Sequence, residues 1–328
     1  MTTKKENGVF YTRRSPFERA PFREWMKAIP NFSERTLAEP FAGENSIPEM
    51  LLNLGNRWLC QDISPPKKNL RPDLHVDKGD SLQKYPWQDR SVVVITNPPY
   101  LAKNAAKRAG LRYEYPDHED LYQVALERVL GHHDYVAAII PASFITSGKH
   151  LDRVMSVDLM TGKYFSDTDH PTCLALFGPV KAHDWKVYKE GTLLGTHQHL
   201  SDLKNTIIGS ARSPRIRFNV PDGEISLLAL DKPRNGLISF GPGHLVLPEE
   251  IKVSSRARVR ISISGEMNID RLIKQSNLIL NEFRDSTGDV FLTPYRGLRE
   301  DGDFRRRLDF GQAAAILTRA IDEATDRF

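Results

Sequence analysis

The chain has 328 residues, 40% of them hydrophobic and 27% charged, a balance that supports a buried core and excludes a disordered or fibrous polymer. Its net charge of +4 permits a polyanionic partner without requiring one. Two cysteines, Cys60 and Cys173, lie in apolar stretches without metal-ligand spacing and read as reduced core thiols, no run approaches the roughly 18 apolar residues of a membrane helix, and the N-terminus has no signal-peptide core, so a cytoplasmic protein of one large or two medium domains is expected.

In chain order, Phe10-Tyr11-Thr12 precedes a helix opening at Pro16. Thr36 to Glu39 reads as a strand that passes through Pro40, Phe41, Ala42 and Gly43 into a helix after Asn45. Such a tight glycine turn aims backbone N–H groups at a ligand, and Asn45 tolerates the left-handed backbone the turn asks for. A strand over 57–61 ends in Asp62, where adenosine-binding sheets accept hydrogen bonds from ribose hydroxyls. Gly79-Asp80 then reads as a turn ahead of Trp87.

The stretch Ser91 to Tyr100 is the most informative. Val92 to Thr96 is a β-branched run typical of a buried parallel strand, and Pro98 and Pro99 end it because they cannot donate to a ladder. Ligands of open α/β sheets bind beyond the carboxyl ends of strands, which is where the Asn97 amide, the proline carbonyls and the Tyr100 ring fall. An aromatic amine is a poor nucleophile because its lone pair is delocalised. Two acceptors gripping both its N–H bonds, the Asn97 side-chain oxygen and the Pro98 carbonyl, would turn the nitrogen toward tetrahedral geometry while Tyr100 stacks on the base. Beyond it, Lys103, Lys107, Arg108 and Arg112 with Tyr113 and Tyr115 suit the phosphates around an extruded base, or form a solvated loop.

Asp120 opens an amphipathic helix with apolar residues at 121, 124, 125, 126, 129 and 130. Tyr135 to Pro141 is a second buried strand, a helix is expected around 150–160, and Thr172 to Phe177 is a further apolar strand. From Trp185 the pattern changes to short apolar pieces between Gly/Pro turns, so the domains are placed at 1–183 and 184–328, the second a mixed β-rich unit. Within it Arg256, Arg258 and Arg260 alternate at period two and are expected on one strand face, as a phosphate contact or as the charged guard of an edge strand. Residues 184–328 hold 22 Lys plus Arg against 20 Asp plus Glu, so any nucleic-acid surface there must be local. The ten histidines show no metal spacing, and no metal is expected. Arg305 to Phe328 reads as an amphipathic helix packed on the rest of the chain.

Asn97-Pro98-Pro99-Tyr100 resembles the catalytic motif of the S-adenosylmethionine-dependent amino-methyltransferases, and the order of the elements over roughly 10–180 resembles the gamma group of DNA enzymes, as in type II restriction-modification systems. The same four residues occur in RNA adenine and protein glutamine methyltransferases. Glu39 to Gly43 is similar to the family's first motif, with Asn45 in place of its last glycine, and Asp62-Ile63 and Asp80 are similar to its second and third. The resemblance implies an α/β fold: a Rossmann-like S-adenosylmethionine-dependent methyltransferase sheet with a C-terminal mixed β-rich recognition domain. It implies S-adenosylmethionine held by Tyr11, Thr12, Glu39, Pro40, Phe41, Ala42, Gly43, Asp62, Ile63, Asp80 and Asn97, although Arg13 stands where the family has proline. By position, Phe165 rather than Tyr164 would pack on the far face of a flipped base. The activity implied is methylation of adenine N6 in duplex DNA, with DNA contacts from Lys103, Lys107, Arg108, Arg112, Arg256, Arg258 and Arg260, and a cognate restriction endonuclease is the partner such systems share a site with. Cytosine-N4 methylation, RNA or protein-glutamine methylation, and a silent nucleic-acid-binding module remain open alternatives.

Overall fold

The computed structural model describes residues 15–66, 74–162, 164, 170–181 and 183–325. Tyr11, Thr12 and Phe165 lie outside them. The chain divides into two compact units, 1–193 and 194–328.

The first unit opens with α1 (Ala20–Ala28), which carries Pro21 in its first turn and buries Phe22 and Trp25. The Trp25 indole N–H reaches the Phe177 carbonyl at 2.9 Å, so the ring is buried without an orphan donor. There follow β1 (Leu37–Glu39), the short α2 (Ser46–Met50), β2 (Trp58–Asp62), β3 (Val76–Lys78) and β4 (Val93–Thr96). Next come α3 (Lys103–Arg108), α4 (Leu121–His132), β5 (Val136–Pro141), β6 (Val154–Met160), β7 (Thr172–Phe177), β8 (Lys186–Lys189) and β9 (Thr192–Thr196). All strands share one sheet in the order β3-β2-β1-β4-β5-β7-β6-β8-β9. Strands β3, β2, β1, β4 and β5 are parallel, and β7 lies antiparallel between β5 and β6. This is the Rossmann-like α/β sheet expected. The strand order reverses between β1 and β4, and such a switch point opens a crevice at the carboxyl ends of the two strands.

Two expectations change in this unit. Residues 154–160 form β6 and not a helix. Its polar Asp158 is buried because Arg19 pairs with it at 3.0 Å and the Gly191 N–H at 2.9 Å, so the strand crosses the core with its charge satisfied. The boundary moves from 183/184 to 193/194, since β8 extends the sheet alongside β6.

The second unit contains α5 (His197–Ile207), β10 (Ile216–Phe218), β11 (Ile225–Leu228), β12 (Ser239–Pro242), β13 (Arg258–Ile263), α6 (Ile269–Thr287), β14 (Thr293–Leu298), β15 (Phe304–Arg307) and α7 (Phe310–Thr325). Strands β10-β13-β11-β12 make an antiparallel sheet, and β14 and β15 a hairpin. The inner face of β13, Val259, Ile261 and Ile263, joins Leu272, Leu280 and Phe283 of α6 and Ile316 and Leu317 of α7 in one core. The long α6 is absent from the expectations above. It is capped by the Asn268 side chain on the Arg271 N–H and stopped by Gly288 at φ 59°.

Candidate active site

Three strand ends meet at the switch point. Glu39 closes β1 and is 1% exposed. Its Oε1 accepts hydrogen bonds from the Thr96 hydroxyl at 2.6 Å and the Phe41 N–H at 3.0 Å, and its Oε2 accepts from the Asn97 N–H at 3.3 Å. Burial outweighs these donors and pushes the carboxyl up to about 8, with the Asp62 charge adding to the rise. One carboxyl therefore ties the glycine-bearing turn after β1 to the proline turn after β4.

Asp62 closes β2. Its Oδ2 accepts from the Gly43 N–H at 2.9 Å and its Oδ1 from the Ser64 N–H at 2.7 Å. Gly43 sits at φ 52° and Asn45 at φ 65°, so the asparagine adopts the left-handed backbone expected of it. Asn45 is buried, with Nδ2 on the Leu74 carbonyl at 2.8 Å and Oδ1 without a hydrogen-bond partner among the described residues. Pro40 and Ala42 are buried, Phe41 is partly so, and Ile63 is 61% exposed. After β3, Asp80 accepts from the Leu82 and Gln83 N–H groups at 2.9 and 3.3 Å, so it caps a turn. A Cβ on Gly79 would lie 2.7 Å from the end of the Gln61 side chain, which would have to shift to admit it.

The turn after β4 is largely packed. Pro98 is buried, and Asn97 and Pro99 are partly buried. Tyr100 is only 5% exposed, so its ring packs largely inside the protein. Its hydroxyl lies between the Asn97 side-chain oxygen and the Ile139 carbonyl of β5, the latter at 2.8 Å, and burial raises its pKa well above the usual value. A rigid turn with an internal hydrogen bond available keeps the ring packed where a free loop would expose it. Thr96 and Ile139 were not singled out from sequence; a polar residue closing an apolar strand is the one signal that marks Thr96.

Past the turn, the Lys103 ammonium donates to the Pro116 carbonyl at 2.7 Å, the Arg108 guanidinium to the Asn104 carbonyl at 3.2 Å, and Arg112 lies 3.9 Å from Glu114. Lys107, Arg108 and Arg112 are exposed.

In the second unit the arginine face is smaller than the alternation suggests. β13 begins at Arg258 and is internal to its sheet, with Arg258 and Arg260 on the outer face. Arg256 precedes the strand and lies over the Phe310 ring, 4.9 Å from its centre, because period-two alternation stops where the strand does. Arg258 pairs with Glu250, and the Arg260 Nε–H donates to the Gly223 carbonyl at 3.0 Å. Both cysteines are free and buried. No helix among the described residues is long and apolar enough to cross a membrane.

Neither a protein-family model nor a curated protein matches the chain. Solved structures do. A methyltransferase subunit of the type I restriction-modification system of Streptococcus thermophilus matches at 17% identity over 56% of this chain and 47% of that one, with a TM-score of 0.36. A Listeria monocytogenes protein assigned to the class I S-adenosylmethionine-dependent methyltransferases matches at 12% identity over 56% of this chain and 68% of that one, with a TM-score of 0.38. The type IIG restriction endonuclease BpuSI matches at 12% identity over 98% of this chain and 46% of its own, with a TM-score of 0.43. The chain thus spans less than half the length of these two restriction proteins, and the likeness is one of fold.

Proposed function

We propose that this chain is a site-specific DNA methyltransferase that moves the methyl group of S-adenosylmethionine to the N6 of an adenine turned out of duplex DNA. The observation that carries the reading is the Asn97–Tyr100 turn at the end of β4, tied through Glu39 to the glycine turn at the end of β1. The donor set suits the cofactor. Glu39 is a buried carboxyl with no cation among its hydrogen-bond partners in the described residues, so a cationic ligand beside it would stabilise its ionised form. Asp62 spends one lone pair on each oxygen and keeps others for ribose hydroxyls. Tyr11, Thr12, Pro40, Phe41, Ala42, Gly43, Ile63 and Asp80 complete the proposed binding set. When bound, S-adenosylmethionine supplies an electrophilic methyl group on a cationic sulfur.

The chain's own part is orientation. Asn97 Oδ1 and the Pro98 carbonyl accept the two amine hydrogens, and Pro99 stiffens the turn. An incoming amine competes with the Tyr100 hydroxyl for Asn97 Oδ1. The hydroxyl keeps the Ile139 carbonyl as its acceptor, so the exchange leaves no buried donor unsatisfied. Phe165 is proposed against the base. Extruding that base costs a few kcal/mol, and orientation supplies about 7–11 kcal/mol in favourable cases. Lys103, Lys107, Arg108, Arg112, Arg256, Arg258 and Arg260 are proposed phosphate contacts, and a cognate restriction endonuclease is a proposed partner.

The test is incubation with radiolabelled S-adenosylmethionine and duplex DNA, RNA or cell protein. Label in DNA as N6-methyladenine supports the proposal. Label as N4-methylcytosine overturns the base, and label confined to RNA or protein overturns the substrate.

A further inference from the structure

The turn that follows β4 is closed onto the start of α4. The Leu121 N–H donates to the Leu101 carbonyl at 3.3 Å, the Lys103 N–H to the Glu119 carbonyl at 2.8 Å, and Ala102 and Asp120 form an antiparallel bridge. At the centre stands one atom, Asp120 Oδ1. It accepts from the Tyr122 N–H at 3.4 Å, which is the N-cap of α4, and from the Leu101 N–H at 3.0 Å. Capping needs only the first of these bonds. The second is the shorter, and it joins the residue directly after Tyr100 to a helix anchored by the buried Tyr122, Val124, Leu126 and Val129.

We infer that Asp120 is a positioning residue that clasps the Asn97–Tyr100 turn to α4 and so fixes the acceptors of Asn97 and Pro98 against an incoming amine. The inference rests on the methyltransferase reading for its catalytic consequence. The clasp also isolates the turn from the segment 102–119, which carries the exposed Lys107, Arg108 and Arg112: that segment can adjust to a phosphate backbone while its two ends stay fixed together.

Three variants separate clasping from capping. Asp120→Asn keeps an acceptor oxygen at the same reach and is expected to transfer methyl groups within about threefold of the parent. Asp120→Ser still caps a helix, but its hydroxyl is one bond too short to serve Leu101 as well. In single-turnover assays on duplex DNA it is expected to lose about a hundredfold in transfer rate, the scale of a misplacement near 1 Å. Its Kd for S-adenosylmethionine is expected to stay within about threefold, and amide hydrogen exchange over 97–103 to accelerate. Asp120→Ala should lose transfer at least as far. A Ser variant that transfers at the parental rate, or an Asn variant as slow as the Ser variant, overturns the clasp. If the unsubstituted protein transfers no methyl group, the methyltransferase reading fails, and exchange over 97–103 decides the clasp alone: acceleration in the Ser variant but not the Asn variant supports it, and equal exchange in all three proteins overturns it.

Discussion

Replacing Glu39 by glutamine probes the node on which the proposed cofactor and target turns both rest. The unfolded carboxyl titrates near the usual 4.5 and the folded one near 8, so the folded state holds its proton over that interval while the unfolded state releases it. The stabilising contribution is thus fully present below about 4.5 and is lost as pH rises to about 8. At about 1.36 kcal/mol per pH unit the whole interval corresponds to about 5 kcal/mol. Glutamine, a neutral isostere of the protonated form, carries no such dependence. Urea unfolding of both proteins at several pH values is the assay. The stability of Glu39→Gln relative to the parent is expected to climb by about 1 kcal/mol or more per pH unit between 5 and 8 and to level off above. If S-adenosylmethionine places its positive charge beside Glu39, binding at pH 7 also releases close to one proton, visible in calorimetry run in buffers of different ionisation enthalpy. A stability difference flat with pH would refute the argument that Glu39 folds as the neutral acid.

Two further outcomes follow from the same geometry. Tyr100→Phe removes a hydroxyl shared between Asn97 and the Ile139 carbonyl, and is expected to cost about 1 kcal/mol in urea unfolding; a loss beyond about 3 kcal/mol would mean that the ring's packing had also changed. In the second unit, Arg284 lies between Asp231 and Asp289, meeting both carboxylates at 2.8–3.2 Å. Arg299 also reaches both, at 3.4 and 3.2 Å, so Arg284→Leu leaves each carboxylate one guanidinium and is expected to destabilise that unit by about 1.5–3 kcal/mol, with a cost under 1 kcal/mol contradicting the pairing.

The parts of the fold legible in the sequence are those whose partners are close in the chain. β4 announces itself through an unbroken β-branched run, and the left-handed Asn45 through its place in a glycine turn. β6 was hidden because Asp158 and Ser156 interrupt its apolar run, and the groups that allow Asp158 inside, Arg19 and the Gly191 N–H, come from distant segments. The same holds at the candidate site. Asn97 and Glu39 could be picked out by type and position, but the bond that joins them spans 58 positions. Likewise the buried pose of Tyr100 depends on a carbonyl of β5. Period-two spacing placed Arg258 and Arg260 on one face correctly and failed for Arg256, which lies before the strand starts.

The central claim is that the turn after β4 orients an amine for methylation, and the direct measurement is nucleoside analysis of duplex DNA treated with S-adenosylmethionine and either the parent or Asn97→Ala. The account predicts N6-methyladenine with the parent. With the variant it predicts a loss of about a hundredfold or more, the scale for removing one preorganised polar contact, and well beyond any loss in cofactor affinity. N6-methyladenine formed at equal rates by both proteins would contradict it.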